Sequence, residues 1–63
     1  MRFVQASTLN LRESAATDAP SLGKLAVNSP VRVEETSGTW ARVRTANEKV
    51  GWVDAAFLAE VPL

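Results

Sequence analysis

In the second half of the chain two tryptophans are set among arginines: Trp40, Arg42 and Arg44 are each separated by one residue, and Trp52 stands in a later run. On an extended backbone successive side chains point to opposite faces, so Trp40, Arg42 and Arg44 share a face. Such a face could grip anions, stack on planar groups, or stiffen its own sheet through guanidinium–indole contacts worth about 0.5–1 kcal/mol each when exposed. Stacked aromatics beside basic groups are also what a small barrel uses to hold single-stranded nucleic acid. Seven basic and seven acidic residues cancel, however, so no overall field draws the chain to a polyanion. Nucleic acid is not an expected partner.

Catalytic chemistry has little to work with. Cysteine, histidine and tyrosine are all absent, which removes the common general bases and nucleophiles. The adjacent acidic pair, Glu34-Glu35, is expected to point to opposite faces of a strand. Gly23, Gly38 and Gly51 are scattered singly, so no loop cradles a phosphate. The usual zinc ligands and disulfide staples are missing as well. The expectation is a non-enzyme with no cofactor and no metal.

Hydrophobic residues make up 46% of the chain and charged residues 22%, an ordinary globular composition. A domain of this length buries only about 60% of the surface its unfolded chain exposes, so its core must be economical. After Arg2 the apolar run lasts for Phe3 and Val4 alone, far short of a signal peptide or a membrane span. Membrane insertion is not expected. Residues 1–63 read as a single domain taken from a longer protein whose targeting segment lies elsewhere.

The elements that must position these side chains are strands. Strict alternation of apolar and polar residues runs through Leu9–Arg12, Val31–Glu34 and Ala41–Arg44, and weaker candidates occupy Phe3–Ala6, Leu22–Leu25 and Val50–Val53. Turn-forming residues collect between them at Ser14–Ser21, Asn28–Pro30, Ser37-Gly38 and Ala46–Glu48. A three-residue loop, Ser37-Gly38-Thr39, sets Val33 against Val43 and Glu34 against Arg42, at the expense of Arg32 facing Arg44. A two-residue loop would mix core and solvent faces along the whole ladder. The next turn is expected to place Asn47 in the left-handed region, and Asn28 is a second residue suited to it. Val33, Val43 and Val53 point inward, Gly51 with them, where the missing Cβ lets a neighbour approach. Trp52 falls on the outer face. Asp54 caps a helical turn through Ala55–Leu58, Leu58 plugs the barrel, and Ala59–Val61 forms a last short strand.

In nearly its full length the chain resembles the bacterial Src homology 3 domains. The residues that carry the resemblance are Ala6, Leu9–Arg12, Leu22–Leu25, Pro30–Val33, Gly38–Val43 and Gly51–Leu58. Asn28 departs from the pattern by standing where the family usually has glycine, and the loop Glu13–Pro20 lacks the usual wording. The resemblance implies an all-β fold, a small five-stranded, partly open barrel with one short helical turn before the last strand. It also implies an accessory binding module on an envelope or exported protein, holding peptidoglycan or its stem peptides.

Relative to the eukaryotic relatives, Trp40 and Phe57 match two aromatic positions of the proline-peptide groove, while Asn10, Arg12 and Asp54 replace its tyrosines and proline. The candidate site is therefore a polar cleft formed by Asn10, Arg12, Trp40, Asp54 and Phe57, with the Glu13–Pro20 loop as its rim. It suits a cell-wall peptide or glycan rich in amides and carboxylates. Arg42, Arg44 and Trp52 form a possible secondary surface. Structural roles compete throughout: Arg12 for loop carbonyls or Asp18, Asn10 as a loop brace, Phe57 as packing, Asp54 as a cap. The competing functions are a structural module docking on another protein domain or a second copy, and proline-rich peptide binding.

Overall fold

The alternating runs become seven strand segments in the computed structural model, which describes residues 1–62. They are β1 (Arg2–Val4), β2 (Thr8–Arg12), β3 (Ser21–Ala26), β4 (Pro30–Ser37), β5 (Trp40–Thr45), β6 (Val50–Asp54) and β7 (Leu58–Ala59), with a 3₁₀ turn at Ala55–Phe57. All pairings are antiparallel, in the order β3-β2-β6-β5-β4-β1-β7, and β3 and β7 do not pair to close the sheet. The five longer strands, β2 to β6, stand side by side as the resemblance implies; β1 and β7 extend the sheet at one edge. The last strand is Leu58–Ala59 and not Ala59–Val61, because Leu58 pairs with Val4 directly after the turn and Val61 is left exposed.

The inner face is aliphatic. Val4, Leu9, Leu11, Val31, Ala41, Val43 and Val53 form the core, with Ala6, Leu25, Ala55 and Leu58 packed against it. Each comes from the apolar phase of its strand, so the period of two carries the barrel's interior. Val33 departs from this pattern. It pairs with Val43 as expected but remains 36% exposed, whereas Val43 is 0% exposed.

The reason lies in the β4–β5 ladder. Near its centre Val33 pairs with Val43 and Arg32 with Arg44, but toward the turn Glu35 pairs with Arg42 and Ser37 with Trp40. The turn therefore has two residues, Gly38-Thr39, and a bulge at Glu34 absorbs the register difference. Gly38 has φ +59° while Thr39 keeps a negative φ, the pattern of a type II′ turn that matches strand twist. The bulge also overturns the expected split of the acidic pair. Glu34 reaches Arg44 and Glu35 reaches Arg42, so both carboxylates serve the outer face, and the expected Glu34–Arg42 pair is not formed. At the next turn Glu48, not Asn47, adopts positive φ, +69°, because the last of three loop residues is the one that must reverse the chain. Asn28 adopts φ +66° as anticipated.

Gly51 is where the sheet is tightest. A Cβ there would lie 2.6 Å from Leu11 Cγ and 2.9 Å from the Arg12 carbonyl oxygen. The missing side chain lets β2 lie against β6, where the pairing Arg12–Trp52 is made.

Candidate functional site

On β2, Leu9 and Leu11 turn into the core, which sends Thr8, Asn10 and Arg12 to the outer face. Trp40 opens β5 directly opposite Asp54, the last residue of β6. The chain then turns through Ala55–Phe57 because the Asp54 Oδ1 accepts the Ala56 N–H at 3.0 Å, the capping role expected of it. That turn brings Phe57 forward, and it stays 45% exposed instead of packing inward. Asn10, Arg12, Trp40, Asp54 and Phe57 together line one open groove of about 250 Å³.

Three further residues line it: Thr8, Leu9 and Thr17. Thr8 shares the alternation of Asn10 and Arg12, so its position was readable from the same phase. Thr17 sits in an irregular loop with no periodicity to announce it.

The rim is tied to the barrel by Arg12. Its Nη1 donates to the Ala19 carbonyl at 2.9 Å, and the Glu13 N–H donates to the Pro20 carbonyl at 3.0 Å, closing the loop on itself. Ala19 is buried beneath. The alternative partner, Asp18, is not used. Asn10 does not brace the loop either: neither its side-chain amide nor the Trp40 indole N–H makes a hydrogen bond among the described residues. The groove thus offers an unengaged amide, an indole, a guanidinium held by a neutral carbonyl, a carboxylate and an exposed phenyl ring. Such a set has the chemistry to form hydrogen bonds with polar groups and to pack against flat apolar ones.

The secondary surface lies on the same face, farther across the sheet. Glu35, Arg42, Trp52 and Arg12 form one cross-strand row. The guanidiniums there are engaged by acids. Arg42 Nη1 meets Glu35 at 3.1 Å, and Arg44 meets Glu34 at 2.9 Å and Glu48 at 3.0 Å. Hydrogen bonds to Glu34 and then Glu48 raise the Arg44 pKa above its ordinary value. Arg42, Arg44 and Trp52 line no part of the groove.

Among the described residues no three His, Cys, Asp or Glu side chains are grouped to hold a metal ion. No helix of the described residues is long and apolar enough to cross a membrane. The sequence profile described as the bacterial SH3 domain matches residues 7–59, while no curated protein and no solved structure gives a significant match. That span takes in β2 through β7, the groove and the capped turn, and with it the chain belongs to the bacterial SH3 domain family.

Proposed function

We propose that the groove between β2, the Glu13–Pro20 loop and the 3₁₀ turn holds peptidoglycan or its stem peptides, and that the chain is a targeting module of an envelope or exported protein. Domains of this family are in general non-catalytic binding modules, often found in such proteins. The observation that carries the proposal is the convergence of Asn10, Arg12, Trp40, Asp54 and Phe57 on one groove. Trp40 and Phe57 supply apolar walls of low conformational entropy, and Asn10 supplies a donor and an acceptor to a ligand backbone. Replacing tyrosines and proline by Asn10, Arg12 and Asp54 removes the apolar ridges that grip a polyproline helix.

The test is an NMR titration with muropeptides, reading the Trp40 indole and the Asn10 and Arg12 amides, together with sedimentation on purified cell wall. Shifts confined to groove residues and co-sedimentation support the proposal. Static signals at millimolar muropeptide, with the protein left in the supernatant, would refute it.

A protein-docking role draws on a different feature: β3 ends the sheet, so one of its edges is unpaired, and Leu22 on it is 41% exposed. Light scattering addresses self-association through that edge. A monomer at high concentration removes it.

A further inference from the structure

The cations of this chain are not treated alike. Arg2 pairs with Glu60 at 3.7 Å, Arg42 with Glu35, and Arg44 with Glu34 and Glu48. Lys24 makes no ion pair or hydrogen bond among the described residues, and Arg12 reaches only the neutral carbonyl of Ala19. These two are neighbours. Lys24 stands directly opposite Asn10 across the β2–β3 pair, so both side chains leave one face with their Cβ atoms about 4.5–5.5 Å apart. Arg12 leaves that same face two residues further along β2. The loop acids Glu13 and Asp18 form no ion pair with either cation among the described residues.

The other bank of the groove carries the opposite charge. Asp54 spends Oδ1 on the Ala56 amide, and its Oδ2 accepts no hydrogen bond among the described residues. Lys49, whose ammonium makes no ion pair or hydrogen bond among the described residues, lies elsewhere: its Nζ is 3.8 Å from where a Gly23 Cβ would stand, and Gly23 pairs with inward-facing Leu11. Arg32 lies away from the groove on β4, opposite Arg44.

We propose that Lys24, which does not line the groove but adjoins it as the cross-strand neighbour of Asn10, forms with Arg12 a carboxylate-binding bank on the β2–β3 side, across from Asp54, so that a short peptide lies with its acid toward β3. This rests on the groove being the binding site. Lys24 then determines specificity, since its ammonium is free and exposed, whereas the Arg12 fork is partly committed to the loop.

The test compares N-acetyl-dialanine with its C-terminal amide, reading the Trp40 indole and the Asn10 side-chain amide. One exposed charge contact predicts an acid-over-amide preference of about two- to five-fold. Lys24→Gln should erode that preference, Lys24→Glu invert it and Lys24→Arg keep it, and an exposed site lets all three variants fold. Equal binding of acid and amide by the native chain, or a preference unchanged across the variants, overturns the proposal while leaving the groove as the site. Silence from both probes and from muropeptides overturns the groove reading, and this inference with it.

Discussion

Gly51→Ala tests the contact that brings β2 against β6. By backbone propensity alone the substitution should help, because replacing a strand glycine by alanine gains about 0.5–1 kcal/mol. The structure reverses that sign. The new methyl would lie 2.6 Å from Leu11 Cγ, 2.9 Å from Leu11 Cδ1 and 2.9 Å from the Arg12 carbonyl oxygen. Leu11 is 1% exposed and has no room to swing away, and the Arg12 oxygen is main chain. Overpacking of this kind costs about 1–3 kcal/mol. A domain of this size has a total stability of about 3–9 kcal/mol, so the loss is a large share of the whole. Denaturant unfolding should show a lower midpoint, and the melting temperature should fall by about 4–8 °C per kcal/mol. The displaced strand carries Asn10 and Arg12, so their amide resonances should move as well. Gly38→Ala is the control. Nothing lies within 4 Å of its Cβ, and its φ of +59° should give a backbone penalty of about 1–2 kcal/mol with core methyl signals unmoved. A Gly51→Ala variant as stable as the native chain, or more so, would refute the close approach.

Other consequences are directly measurable. Asp54→Ala should destabilise by about 0.5–2 kcal/mol and speed exchange of the Ala56 amide, while Asp54→Asn keeps the cap; equal exchange in both variants contradicts the capping role. Arg12→Gln should cost up to about 1.5 kcal/mol and release the Glu13 amide to exchange, because the loop loses its tie at Ala19. Val43→Ala should cost about 2–3 kcal/mol and Val33→Ala under about 1 kcal/mol, following exposures of 0% and 36%; similar losses would place Val33 in the core after all. Arg44, its pKa raised, stabilises fully below its unfolded value and loses that contribution only as pH rises through the folded one, far above ordinary assay conditions. With no histidine to titrate, unfolding free energy should stay level between about pH 6 and about pH 9, and a marked step there would expose an unrecognised coupled group.

What the sequence made legible follows the physics of the strand. Alternation reports which face a side chain takes, so Leu9, Leu11, Val31, Val43 and Val53 fell inside and Asn10, Arg12, Trp40 and Trp52 outside. It does not report how a ladder is corrected locally. A two-residue turn plus one bulge and a three-residue loop give the same pairing of Val33 with Val43, and the sequence pattern cannot separate them. Only the bulge puts Glu34 and Glu35 on one face and leaves Val33 uncovered. The same limit explains Glu48, whose positive φ is imposed by its place in the turn over the better propensity of Asn47.

The candidate site was legible to the extent that it is built from strand residues. Four of its five expected members, Asn10, Arg12, Trp40 and Asp54, sit on strands whose phase puts them on the groove side, and Phe57 follows from the Asp54 cap. Thr17 was hidden because a loop has no period; the rim it belongs to is tied down by Arg12, which donates to the carbonyl of Ala19, seven residues on. Arg12 therefore does two things at once, fixing the rim and leaving its charge without a carboxylate. That second property separates the groove from the adjoining part of the outer face, where acids on β4 and the β5–β6 turn neutralise Arg42 and Arg44; Arg32, which likewise meets no carboxylate among the described residues, stands apart on β4. Cations already paired, as Arg42 and Arg44 are, resist a new acid, and cations meeting no carboxylate among the described residues invite one, so the proposed carboxylate contact is expected at β2 and β3 and not beside Trp52.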